Sequence, residues 1–132
     1  MKKYSQRLKV RSYELDSQGH VNYAVYLNYC EFCRVVTLQQ VGLPFENYIN
    51  EGKFIVIAEA NLKYLTPAFL GDELEITLEG ANAGRSNMTF KQEIFNTQTN
   101  RKVFEATMRA VFINKQGRPI QMDESFKNVF FD

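Results

Sequence analysis

The sequence predicts an α+β domain: one long helix laid against an antiparallel sheet of four or five strands. Three observations carry this. Only residues 23–41 combine helical apolar spacing with good length. From residue 54 to 114 the chain alternates apolar and polar residues between turn-rich breaks. The breaks between the late strands are too short for a parallel crossover, which makes those strands antiparallel neighbours.

In chain order, "QRLKVRSYEL" (residues 6–15) roughly alternates and reads as a first strand, with Leu8, Val10 and Ser12 on one side. "DSQGHVN" interrupts it with turn-forming residues, and Asn22 is a suitable helix N-cap. The helix from Tyr23 to Val41 has a narrow stripe of Asn28, Glu31, Val35 and Gln39. Its other faces are mostly apolar, so it is expected to be largely wrapped by other structure. Gly42 serves as its C-cap and Pro44 prevents its continuation. Residues 45–52 can add a short helical turn. Strands are expected at about 54–65, 73–81, 86–96 and 102–114. In the third of these, Thr89, Lys91 and Glu93 alternate with Phe90, Gln92 and Ile94. So few strands around one helix leave edges and a face to cover, which favours a homo-oligomer.

The 132 residues suit one domain, 1–132. Sixteen basic and fifteen acidic residues leave a net charge of +1, which gives no general surface for nucleic acid. No apolar run reaches the ~18 residues of a membrane span. The first ten residues carry no apolar run behind their lysines, so no secretory signal is read there and a cytoplasmic location is expected.

The chemically richest stretch is residues 15–34, with the only histidine and both cysteines. Asp16 can point at the free N–H groups of the helix start, or it can simply stabilise the turn "DSQG". His20 has no second histidine with which to make a metal site. Asn22 caps the helix, and the amides near Asn22 and Tyr23 can in addition hold an oxyanion. Cys30 and Cys33 lie inside the helix, so they read as small packed residues, not as a redox or zinc pair. Glu59 interrupts an apolar strand on the face of Ile57, Asn61 and Lys63, as an exposed or interfacial residue or as a pocket carboxylate. Arg85 and Ser86 sit in a glycine-containing turn that is either solvated or able to grip a phosphate.

"YELDSQGHVNYAVYLNYCEFCR" (residues 13–34) resembles the signature of the hotdog-fold thioesterases of the 4-hydroxybenzoyl-CoA thioesterase type. The matching residues are Asp16, Gly19, the pair Val21-Asn22, Tyr26 and Glu31. "KYLTPAFLGDELEI" (residues 63–76) resembles a second segment of that family. The resemblance implies a helix wrapped by the sheet, sheets joined into a homodimer, dimers paired into a homotetramer, and sites at the subunit interface. It implies that Asp16 is the catalytic carboxylate, as base or nucleophile, and that an amide near Tyr23 polarises the thioester carbonyl. It places Tyr26 and Tyr29 along the acyl pocket, and Arg85 and Ser86 near a nucleotide or pantetheine phosphate. Tyr23 stands where some bacterial members carry a histidine, so that histidine's assistance does not transfer. His20 belongs to the "GHVN" form of the motif. The expected activity is hydrolysis of an acyl-CoA or acyl-carrier-protein thioester, without metal or cofactor. A non-catalytic module binding such thioesters and a hydroxyacyl-thioester dehydratase are the alternatives.

Overall fold

A computed structural model describes residues 2–131. The elements run β1 (Lys3–Lys9), α1 (Val25–Gln40), α2 (Phe45–Asn50), β2 (Phe54–Tyr64), β3 (Glu73–Ala83), β4 (Asn87–Asn96), β5 (Lys102–Ile113) and α3 (Glu124–Phe130). The five strands form one antiparallel sheet in the order β1-β3-β4-β5-β2. Strict alternation sends Phe90, Gln92 and Ile94 of β4 to the covered face, with Phe104, Ala106, Met108, Ala110 and Phe112 of β5 beside them.

Helix α1 lies on that face. Its buried residues are Tyr26, Tyr29, Cys30, Cys33, Thr37 and Leu38. Tyr26 stacks on Phe104 with ring centroids 5.2 Å apart. Polar ties fix the helix against the sheet. Gln92, fully buried, donates from Nε2 to the Cys30 carbonyl at 3.1 Å, and the Cys33 thiol donates to the Ile76 carbonyl at 3.3 Å. Its C-terminus is closed by Gly42 at φ +81°, which any Cβ would strain. The Leu43 N–H reaches back to Leu38 and the Gly42 N–H to Gln39, the paired bonds of a Schellman closure.

The four later strands and the short helix at 45–50 fall where the sequence places them, within two residues at each end. Four expectations change. The first strand begins earlier and stops at Lys9, because its partner β3 begins at Glu73, opposite Lys9. Residues 12–14 then form a 3₁₀ turn held by Glu14. Helix α1 starts at Val25, two residues after the expected Tyr23, because Asn22 receives the Ala24 N–H in a turn ahead of the helix. The helix is covered on one side only: Leu27 and Phe32, with Asn28 and Glu31, stay exposed, since one curved sheet reaches around half of a cylinder.

The fourth change is α3, a helix that the spacing of residues 115–132 does not predict. Its Phe126 and Phe130, spaced by four, are buried, and Phe126 packs on Phe112 with centroids 4.9 Å apart. Gly80 makes room for this helix. A Cβ there would stand 2.9 Å from Phe130 Cβ and 2.7 Å from Phe131 Cζ. Gly80→Ala is therefore expected to lower stability by about 1–3 kcal/mol, read as a lower urea midpoint. A midpoint equal to wild type would show that α3 does not dock as described.

Candidate active site

Asp16 opens a tight hairpin. Leu15 and Val21 bridge as antiparallel partners, the Asp16 N–H donates to the His20 carbonyl at 2.7 Å, and Gly19 turns the chain at φ +82°. The Asp16 carboxylate accepts the Gln18 and His20 amides on Oδ1, at 2.8 and 3.1 Å. Both amides belong to its own turn, so of the two readings of Asp16 its hydrogen bonds follow the aspartate turn and not the helix start. The second oxygen, Oδ2, has no hydrogen-bond partner among the described residues.

The hairpin is wedged between two segments. On one side the Asn22 N–H donates to the Glu14 carbonyl at 2.9 Å. On the other the Val21 N–H donates to the Ala68 carbonyl at 2.8 Å, and His20 bridges Phe69, whose ring its own imidazole meets edge-on at 5.1 Å. Glu14, 6% exposed, anchors the whole arrangement. Its carboxylate accepts the Tyr29 hydroxyl at 2.8 Å and both the Nε and Nη2 of Arg11, at 3.0 and 2.7 Å. Burial and this carboxylate push the Tyr29 hydroxyl well above the ordinary tyrosine range, so it stays a donor.

Asp16, His20, Val21, Tyr23, Tyr26, Tyr64, Leu65, Thr66 and Pro67 surround one open cleft of about 400 Å³. Tyr26 lies at its base, its hydroxyl accepting the Ala68 N–H at 3.2 Å, and burial raises that hydroxyl above the usual range. Tyr64 caps one wall by donating to the Tyr23 carbonyl at 2.9 Å. The Asn22 side chain takes the Ala24 N–H at 3.0 Å, while the Tyr23 N–H finds no acceptor among the described residues. Four of the sequence candidates thus converge: Asp16, His20, Tyr23 and Tyr26, with Asn22 holding the turn behind them.

The other candidates do not join them within one chain. A bulge between Ile57 and Glu59 puts these two residues on opposite faces of β2, contrary to the shared face read from the sequence. Ile57 pairs with inward Ala110, and Glu59 pairs with Arg109 across the outer face, 3.7 Å away. Arg85 and Ser86 precede Asn87, which pairs with Val111, whereas Tyr64 pairs with Phe104. The seven residues of β5 between those levels span roughly 23 Å. The backbone carbonyls of Arg85 and Ser86 are taken by Met122 and Phe112. Cys30 and Cys33 are buried free thiols, and burial pushes them up to about 12 and about 11, so they remain protonated at neutral pH. The sequence analysis gives no role to Glu14 or Tyr64. The i,i+3 pair Arg11 and Glu14 is the one signal that marks the former.

Residues 10–130 match the family described as the thioesterase-like superfamily. The chain belongs to that superfamily. Among curated proteins it is 32% identical over 123 residues to the chloroplastic acyl-acyl carrier protein thioesterase ATL3 of Arabidopsis thaliana, a match covering 93% of this chain and 65% of that one. The chain thus spans about two thirds of that relative's length. It is 31% identical over 131 residues to the acyl-CoA thioesterase YbgC of Helicobacter pylori, covering 93% of this chain and 96% of the relative. Among solved structures, the 1,4-dihydroxy-2-naphthoyl-CoA thioesterase Slr0204 of Synechocystis superposes with a TM-score of 0.91, at 18% identity, over 97% of this chain and 95% of that one. The fold is the hotdog fold of these thioesterases, with α1 as its central helix. No helix among the described residues is long and apolar enough to cross a membrane, which leaves β-barrel insertion unaddressed.

Removing the Tyr29 hydroxyl leaves a buried carboxylate one donor short. Tyr29→Phe is expected to cost about 1–3 kcal/mol of stability, measured by urea unfolding. An unchanged midpoint would mean that the hydroxyl does not support Glu14.

Proposed function

We propose that this superfamily member hydrolyses acyl thioesters of coenzyme A or acyl carrier protein in the cleft beside Asp16. The observation that carries the proposal is the pairing, in one cleft, of a carboxylate with an uncommitted oxygen and a main-chain N–H without an acceptor. Two turn amides orient Asp16 through Oδ1, which leaves Oδ2 to take a proton from water or to attack the carbonyl carbon itself. The carbonyl oxygen, as it gains charge, is held by the Tyr23 N–H. Such a donor is typically worth ~3–4 kcal/mol in the transition state. On the base route the hydroxide so formed attacks the carbonyl carbon, the intermediate collapses to the free acid, the carbon–sulfur bond breaks, and the thiolate takes up the proton. On the nucleophile route collapse expels the thiolate and leaves a mixed anhydride on Asp16, which a water hydrolyses to release the acid and restore the carboxylate. Tyr26 and Tyr64 form an aromatic wall for the acyl group. His20, packed edge-on against Phe69, shapes the rim. Asn22 keeps the turn in register.

The working unit we propose is a homodimer, or a homotetramer made of two such dimers. Strand β2 is the outer strand of the sheet, with Val56 and Ile57 exposed. Pairing β2 with its copy about a two-fold axis would bury this edge. It would also lay the Ile55 end of one strand beside the Tyr64 end of its partner, so that each cleft is bordered by both chains. A partner subunit is also what would bring Arg85 and Ser86 toward a cleft that their own chain keeps far from them.

The test is release of free thiol from a panel of acyl-CoA and acyl-carrier-protein thioesters. Asp16→Asn is expected to stay folded and lose about 10²–10⁴-fold in kcat. A variant that keeps the wild-type rate removes Asp16 from the reaction. Sedimentation equilibrium at micromolar concentration is expected to give a dimer or a tetramer. A monomer under those conditions would refute the paired β2 edge.

A further inference from the structure

A second cavity lies under the C-terminal half of α1, away from the Asp16 cleft. Its volume is about 280 Å³, room for roughly nine groups of a water's ~30 Å³ share. Leu78, Met88, Phe90, Ala110, Phe126 and Phe130 are among its buried apolar walls. Val56 and Ile57, on the β2 edge that a second copy would cover, line its side toward that edge.

One cation enters this apolar space. The Arg34 guanidinium lies 5.6 Å over the Phe90 ring, and its Nη1 donates to Gln92 Oε1 at 2.8 Å and approaches Met108 Sδ at 3.6 Å. Those contacts use one of its three nitrogens. Nε and Nη2 have no acceptor among the described residues, and Arg34 is one of the residues that line the cavity. No carboxylate of the described residues comes within 4.0 Å of the group. Glu31, three residues earlier on α1, is exposed at the rim and attracts Arg34 only from a distance. Burial lowers the Arg34 pKa from its ordinary value, a sign of a cation short of neutralising partners. An arginine fork in an apolar pocket is matched best by a carboxylate, which accepts two parallel N–H bonds and cancels the charge.

We infer that this cavity binds a short apolar chain or ring ending in a carboxylate, with the carboxylate seated on Arg34 Nε and Nη2. The inference goes beyond the hydrolase reading, since it concerns what Arg34 holds whether or not Asp16 cleaves. The same chemistry has two sources: a free carboxylic acid, or the distal end of an acyl group that carries a second carboxylate.

Octanoate and octanol share one chain and differ at the head, so isothermal titration of each into the full-length protein reads the head alone. Octanoate is expected to bind at least about tenfold more tightly than octanol, as a charge-assisted pair requires. Arg34→Gln is expected to erase that preference while leaving octanol binding unchanged. Ala110→Leu, which fills the cavity from the sheet side, is expected to abolish both. Equal affinity for the two compounds in the wild type overturns the inference, with no variant needed, and so does a preference that survives Arg34→Gln. The source is read from thioesters of octanoic acid and of the corresponding dicarboxylic acid. If Arg34→Gln raises KM for the dicarboxylic thioester alone, the ligand is the tail of a substrate. If octanoate binding is lost while both KM values hold, the ligand is a free acid.

Discussion

Glu14 is the residue on which the geometry of the cleft depends. Its carboxylate gathers Arg11 from the end of the first strand and Tyr29 from the second turn of α1, and its own carbonyl takes the Asn22 N–H. One buried acid therefore binds the strand, the hairpin and the helix to each other. A buried charge is costly unless it is paired and hydrogen-bonded. Here four donors meet that need, three from Arg11 just after the first strand and one from Tyr29 on α1. The cost of failing to assemble them is what locks the hairpin carrying Asp16 against the start of the helix.

The same economy of donors leaves two polar groups of the cleft residues without a partner among the described residues. The aspartate turn spends one oxygen of Asp16 on two amides, and Asn22, which is not the N-cap expected from the sequence because α1 starts after Ala24, takes the Ala24 N–H in the turn ahead of the helix. What remains, one carboxylate oxygen of Asp16 and the Tyr23 amide, belongs to two of the residues that line the cleft. Farther along α1, Gln92 plays a comparable part from the sheet, giving its amide hydrogen to Cys30 and its oxygen to Arg34. Among the buried polar side chains, Glu14 and Gln92 tie α1 to other elements, whereas Thr77 joins β3 to β4 and Asn96 closes its own turn.

Much of this was legible in the sequence because it is local. Strand alternation, the Gly42 closure and the turn around Gly19 are set by neighbours a few residues apart. So is the grouping of Asp16, His20 and Tyr23 at the head of the helix. The Ile57–Glu59 face was misread because one extra residue in a bulge reverses a period of two, and no residue type announces it. The first strand was placed too late because its end is dictated by where β3 runs out, a property of a partner far away in sequence. Helix α3 did carry a signal, Asp123 before Phe126 and Phe130, but seven residues are too few for periodicity to stand out. Tyr64 and Arg34 take their places from tertiary packing, which spacing along the chain does not encode.

The strand order also sets a schedule. Strand β2 has one neighbour in the sheet, β5, with Phe54 opposite Ile113 and Tyr64 opposite Phe104. A ribosome thus delivers β2 well before anything exists for it to bond with. The turn after it, which supplies Leu65, Thr66 and Pro67 to the cleft, waits as well, since its Leu65 amide is held by Val103. Long-range closure of this kind is slow relative to local helix formation. The cleft therefore comes into being late in biosynthesis, and a nascent chain stalled before residue 102 holds Asp16 and its helix without the wall that completes the cleft.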